Sequence, residues 1–133
     1  MKTLLAFLAI ALTALPSQAK IVQVYTPAYD ICQKASDGIT VKVRDCIKAE
    51  HKIQDRNLNQ LYRMVKAKLS QQLQEKLQQT QRHWIAYRDM HCDMMQIAEG
   101  GGTLGPVLND ECVLQLTISR IEQLEKIKSL LLE

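Results

Sequence analysis

From Thr40 onward the chain carries apolar residues at helical spacing. Val43, Ile47, Leu58, Leu61, Tyr62, Val65 and Leu69 recur three, four or seven positions apart over most of the run, which predicts an amphipathic helix rather than a strand. Thr40 is a suitable N-cap. No Gly or Pro occurs from residue 39 through 99, and an uninterrupted helix of that length is abnormal for a globular domain. Ser70 is the expected interruption, because serine caps helix starts and offers the backbone an alternative bond. The pattern therefore predicts a first helix over about 40–68 and a second over about 71–98. One long helix in an extended dimer is the competing arrangement. The second segment places Leu73, Leu77, Trp84, Ile85, Arg88, Cys92 and Met95 on one broad face.

Glu99-Gly100-Gly101-Gly102-Thr103-Leu104-Gly105-Pro106 closes that segment. Three consecutive glycines do not hold a helix, and Pro106 is expected to delay the next one. A third helix is expected over about 110–131, capped by Asn109 or Asp110. Val113, Leu114, Leu116, Ile121, Leu124, Ile127 and Leu130 form its apolar face. Residues 20–38 read as irregular, with a weak strand signal from Ile21 to Tyr25. The expected fold class is all-α: a small disulfide-linked three-helix up-down-up bundle with an ordered N-terminal arm.

The first 19 residues follow a different rule. Lys2 precedes an apolar run from Leu4 to Leu15, and Ser17 and Ala19 supply the small residues of a cleavage site. This is the pattern of a secretory signal peptide, with cleavage expected after Ala19. The run is shorter than the roughly 20 residues needed to span a bilayer. The expected organisation is a signal peptide over 1–19 and one helical domain over 20–133, periplasmic or secreted. Lys20, not a cysteine, stands directly after the cleavage site, so no lipid anchor is expected there. The formal net charge of +3 includes Lys2, so the exported part is closer to neutral. That balance argues against nucleic acid, whose binding domains carry a strong basic excess.

Export changes the meaning of the cysteines. Cys32, Cys46, Cys92 and Cys112 are an even set in a small exported chain, which reads as a disulfide framework. Folding the predicted hairpin back at residue 70 brings Cys46 level with Cys92, at 1.5 Å per residue. The glycine segment returns Cys112 to the same end, and Cys32 precedes the first helix there. Pairing Cys32 with Cys92 and Cys46 with Cys112 is favoured, because it fastens both the arm and the third helix to the hairpin. Sequential pairing, Cys32–Cys46 with Cys92–Cys112, stays open. The same geometry sets Asp55 near Ile85 and within a turn of Arg88, and Asn59 opposite Gln81. Acidic side chains gather toward the cysteine end and basic ones toward the other.

The chemistry-bearing motifs are sparse. The chain has no Gly-x-Ser-x-Gly, no phosphate-binding loop and no His-Glu-x-x-His. Cys46, His51, His91 and Cys92 could approach one another, but His91 and Cys92 face different ways on a helix and disulfides compete for the sulfurs. No enzyme activity, metal or cofactor is expected. Met90, Met94 and Met95, at helical spacing, read as core side chains or a soft apolar groove.

The motif set resembles a known family. Cys32-x-x-Ala35, Cys46, Asp55-x-x-Leu58-Asn59-x-x-Tyr62 and Gln81-Arg82-x-Trp84-x-x-Tyr87-Arg88-Asp89-x-x-Cys92, followed by the glycine loop, Cys112, Thr117 and Arg120, look like the LprI-type lysozyme-inhibitor N-terminal domain. The resemblance implies an all-helical exported domain that inhibits lysozyme, the basic animal type suiting the acidic cysteine end. Its lipoprotein members carry a lipidated cysteine, which this chain lacks. Glu50, Asp55, Asn59, Gln81, Trp84 and Arg88 are expected to form a structural polar network. In it Asn59 bonds Gln81, Asp55 or Glu50 pairs with Arg88, and Trp84 fills the centre with its N–H on one of them. The candidate partner-binding loop is Glu99, Gly100, Gly101, Gly102, Thr103 and Leu104. An envelope assembly module and a small-ligand carrier are the alternative functions.

Overall fold

The structure is a computed structural model that describes residues 25–132. The signal peptide over 1–19 and most of the Ile21–Tyr25 strand signal lie outside the described residues. Within them the chain is all-helical: α1 (Pro27–Ala35), α2 (Thr40–Lys68), α3 (Gln71–Ala98) and α4 (Leu104–Leu132).

The described part of the arm is helical over Pro27–Ala35, not irregular. Pro27 occupies the first turn of α1, where a missing N–H costs nothing and the fixed φ suits a helix. Thr26 is the N-cap, and its hydroxyl accepts a bond from the Tyr29 N–H at 3.3 Å. Asp37 and Gly38 then take positive φ, 50° and 71°, and turn the chain into α2. Ile39 is the N-cap of α2 and makes no side-chain cap bond. Thr40 is thus the first helical residue rather than the cap.

The break between α2 and α3 falls where the pattern predicts it. Leu69 and Ser70 are both extended, with ψ of 155° and 156°. Ser70 makes no side-chain cap bond. What holds the break is the buried Leu69 side chain, whose carbonyl accepts from Gln74 Nε2 at 2.9 Å.

The start of α4 corrects the sequence reading. The helix begins six residues earlier than expected, at Leu104, and Asn109 and Asp110 lie inside it. Pro106 sits in the first turn, where proline is tolerated. Gly105 permits a close approach between helices: a Cβ there would meet the Gln96 carbonyl oxygen at 3.0 Å.

The layout of the long helices also differs from a simple hairpin plus a third helix. α4 packs along both α2 and α3, while α2 and α3 barely meet. α4 runs parallel to α2, as Arg44 pairs with Asp110 at one end and Leu61, Val65 and Leu124 share a core at the other. Against α3 it is antiparallel: Gln81 meets Arg120, Cys92 meets Cys112, and Asp93 meets Asn109. α1 packs on α2.

Two apolar cores result. Leu58, Leu61, Val65, Leu69, Leu77 and Leu124 form one near the α2–α3 turn. Ile47, Leu114 and Ile118, with Tyr25, Tyr29, Val43 and Val107 against them, form the other near α1. Where they meet, the buried residues Glu50, Gln54, Gln81, Thr117 and Arg120 make a polar layer.

Candidate partner-binding face

The glycine loop is built to protrude. α3 ends at Glu99 in αR geometry, and the Gly100 N–H returns to the Ile97 carbonyl at 3.0 Å. Gly100, Gly101 and Gly102 then take φ of 69°, 105° and 93°, a run that residues with a Cβ enter only with strain. None of the three has a heavy atom near where its Cβ would stand, so the loop tip is open to a partner. Leu104 is half exposed at its far side.

The base of this loop is fastened. The Cys92–Cys112 disulfide spans it, with Cα atoms 5.5 Å apart. Asn109 Nδ2 donates to Asp93 at 3.2 Å, and Gly105 abuts Gln96. On one flank lies a cleft of about 340 Å³, lined by Thr40, Val41, Arg44, Asp45 and Lys48 with Gly102, Thr103 and Pro106. The Arg44 Nε donates to Asp110 at 2.6 Å. That hydrogen bond raises the guanidinium pKa further above its ordinary value, so the pair is a fixed tie between the starts of α2 and α4.

The other flank is a feature the sequence reading missed. Tyr87, Met90, Met94 and Ile97 are 52%, 68%, 56% and 76% exposed. At spacings of three and four they form one apolar stripe on the outer side of α3, and Tyr87 stacks on His91 at 5.3 Å. The methionines are surface side chains here, not core. Their helical spacing was the visible signal. Which side of α3 would be covered was not visible, because only the position of α4 settles it.

All four cysteines meet at this end, as expected, but the favoured pairing is overturned. The bonds are Cys32–Cys46 and Cys92–Cys112. The reason is the helix in the arm: α1 lies on α2 and brings Cys32 beside Cys46, while the early start of α4 brings Cys112 beside Cys92.

The expected cross-hairpin network is also corrected. Asn59 Nδ2 donates to Asp55 on its own helix, at 3.0 Å to the carboxylate and 2.8 Å to the carbonyl, and does not reach Gln81. Gln81 instead accepts from Arg120 Nε at 3.0 Å. Arg88 pairs with its neighbour Asp89 at 2.8 Å, not with Asp55 or Glu50. Glu50 is buried and accepts from the Thr26 N–H at 3.0 Å, the Thr26 hydroxyl at 2.6 Å and Gln54 Nε2 at 2.7 Å. The Trp84 ring lies near two guanidinium groups, Arg88 at 5.1 Å and Arg120 at 5.9 Å. α4 packs along both α2 and α3, which barely meet; its Arg120 takes Gln81, while Asn59 and Arg88 bond within their own helices. Burial lowers the Arg120 pKa from its ordinary value, yet arginine stays charged in proteins. The side chain is held by Gln81 and Gln123. Arg120 and Thr26 are thus the structural residues to which the sequence reading gave no role. The Thr-Pro step at Thr26-Pro27 was a legible signal for the second.

These polar groups hold helices together. All four cysteines are in disulfides, and no described group of three or more His, Cys, Asp or Glu side chains is placed to hold a metal ion. No helix among the described residues is long and apolar enough to cross a membrane. The exposed loop, its cleft and the α3 stripe lie together at the disulfide end and form the candidate contact face.

The chain is 28% identical over 109 residues to an uncharacterised protein of Rhizobium meliloti (strain 1021), covering 72% of this chain and 77% of that one. No solved structure matches. Residues 32–124 match the family described as Lysozyme inhibitor LprI. That span runs from the first disulfide cysteine, through the polar layer and both disulfides, to the core residue Leu124, and the chain accordingly belongs to the LprI lysozyme-inhibitor family.

Proposed function

We propose that the chain is an exported binding protein that blocks lysozyme stoichiometrically, using the Glu99–Leu104 loop as its main contact. The observation that carries this reading is the match of residues 32–124 to a family of lysozyme inhibitors. The physical support is local. A lysozyme cleft holds two carboxylates in a groove, and a narrow protruding loop on a rigid base is suited to enter a groove. The Gly100–Gly102 tip has open space around it, and the Cys92–Cys112 bond limits the entropy lost when it docks. The α3 stripe beside it offers apolar contact area. Acidic side chains at this end, including Asp89, Asp93 and Glu99, favour a basic, animal-type lysozyme. Residues 1–19 act as the export signal in this reading, and the working protein begins at Lys20.

A cell-wall lysis assay tests it. The oxidised protein is titrated against animal-type and bacterial lysozymes. Inhibition that saturates near equimolar ratio is expected with the basic enzymes. No inhibition of any lysozyme at large excess would leave an envelope assembly module as the better reading. Replacing Gly100–Gly102 by a shorter linker is expected to remove inhibition while the helical circular dichroism is kept. Retained inhibition would clear the loop of that role.

A further inference from the structure

The α2–α3 turn end carries a second surface, remote from the glycine loop. Gln81 meets Arg120, and Leu77 shares a core with Leu124. That antiparallel register carries Leu130 and Leu131 level with the Ser70–Gln71 start of α3, with Leu73 within one turn of them. All three leucines are exposed, Leu130 and Leu131 by more than half, so they form an apolar tip. The helices behind the tip are basic. From residue 61 to 82, Arg63, Lys66, Lys68, Lys76 and Arg82 stand against a single carboxylate, Glu75. The last turns of α4 set Glu122 and Glu125 against Lys126 and Lys128, so the cationic excess comes from α2 and α3. Lys68 and Lys76 are exposed and make no ion pair among the described residues. Lys68 stands two residues before Ser70 and Lys76 six after it. Both therefore lie within about 9 Å of the turn at the helical rise, comparable to the screening length of about 8 Å at physiological salt.

We propose that this end docks on an anionic bilayer surface, with Leu73, Leu130 and Leu131 entering the headgroup boundary and the cations of α2 and α3 drawn to anionic headgroups. The combination decides the partner. Exposed leucines beside an excess of cations are the elements of interfacial binding, where apolar burial and attraction to anionic lipids add. A soluble polyanion would engage the cations and leave the leucines in water. A second copy meeting the same end would set like charges against each other. The docking is peripheral, because no helix among the described residues is long and apolar enough to cross a membrane. The glycine loop lies at the opposite end of the molecule, so this surface does not rest on lysozyme inhibition.

Binding is measured by co-sedimentation of the exported, oxidised protein with vesicles of phosphatidylglycerol mixed into phosphatidylcholine. Pure phosphatidylcholine vesicles are the neutral control. Binding to the anionic vesicles is expected, with partitioning about tenfold or more weaker on the neutral ones. Leu130→Ser with Leu131→Ser is expected to weaken anionic binding by about tenfold. Lys68→Glu with Lys76→Glu is expected to weaken it by about tenfold as well, and to reduce its sensitivity to salt. All four positions are exposed, so both variants are expected to keep the helical circular dichroism, and each tests the proposal without the other. No binding to the anionic vesicles, or equal binding to both kinds, would overturn the proposal. Full binding by the leucine variant would overturn it too. Dextran sulfate is the soluble-polyanion arm. If it is bound as tightly as the vesicles, and equally by the leucine variant, the proposal is overturned and the end is assigned to a polyanion.

Discussion

Glu50 shows how a single residue can be readable as important and yet misassigned. A carboxylate among apolar helical positions must have partners, and either it or Asp55 is expected from sequence to pair with Arg88. It instead gathers the Thr26 N–H, the Thr26 hydroxyl and Gln54, so it clamps the arm to α2. Glu50→Ala leaves those donors without their acceptor. A loss of about 2 kcal/mol is expected from hydrogen bonds to a charged group, seen as a lower denaturation midpoint with unchanged helical content. His51, one position on, makes a pH prediction. Its Nε2 is buried without a hydrogen-bond partner. Burial lowers its pKa below the ordinary 6.5, with Arg88 adding to the effect and Asp55 and Asp110 opposing it. The folded protein therefore binds that proton less readily than the unfolded chain. The stability is fully present above pH 6.5 and is lost as the pH falls from there through the depressed value. His51→Leu is expected to flatten that part of the stability profile, measured by thermal unfolding between pH 7.5 and pH 4.5; an unchanged slope would remove His51 as its source.

At the scale of elements, the α2 and α3 boundaries were legible because a long run without Gly or Pro has to break somewhere, and Ser70 is its least helical point. The α4 start was not. Pro106 stops a helix in its interior and is tolerated in its first turn, and the sequence alone does not say which turn it occupies. That six-residue difference moves Cys112 and so decides the disulfides. Each bond now closes one local hairpin: Cys32–Cys46 holds α1 to α2, and Cys92–Cys112 holds α3 to α4 across the glycine loop. Cys92→Ser with Cys112→Ser is expected to cost about 3 kcal/mol, as removal of a loop of this size should. It should also weaken lysozyme inhibition by loosening the loop base. The matching change at Cys32 and Cys46 should cost a similar amount of stability and leave inhibition nearly unchanged. Equal loss of inhibition in both pairs would show that the loop is not the element the second bond supports.

The whole molecule has two ends with different characters, joined by α4. The disulfide end carries the glycine loop and most of the acidic side chains; the α2–α3 turn end carries the leucine-rich core. If the first end meets a basic partner, the encounter is steered by charge, and the association rate should fall steeply as salt rises while the dissociation rate changes little. Stopped-flow or surface-binding kinetics at two ionic strengths check this, and a salt-independent rate would count against charge steering. The polar layer between the two cores has a consequence at this scale too. Gln81 and Arg120 find each other only with α3 and α4 in register, and Glu50 fastens the arm to α2. The layer therefore favours one register of α4 over its neighbours, since a slipped register leaves buried polar groups unpaired.

What the sequence determined by itself is what local physics determines. Periodicity set the three long helices, the unbroken run set the α2–α3 break, the glycine run set the loop, and the even cysteine count set disulfides at one end. The motif set also pointed to the family. What only the tertiary structure decided was which side chains meet. α4 packs along both α2 and α3, and its Arg120 takes Gln81, while Asn59 bonds within its own helix. That placement leaves Tyr87, Met90, Met94 and Ile97 exposed. Helical spacing states which residues share a side of a helix; it does not state what, if anything, comes to cover that side, because that depends on contacts between segments far apart in the chain.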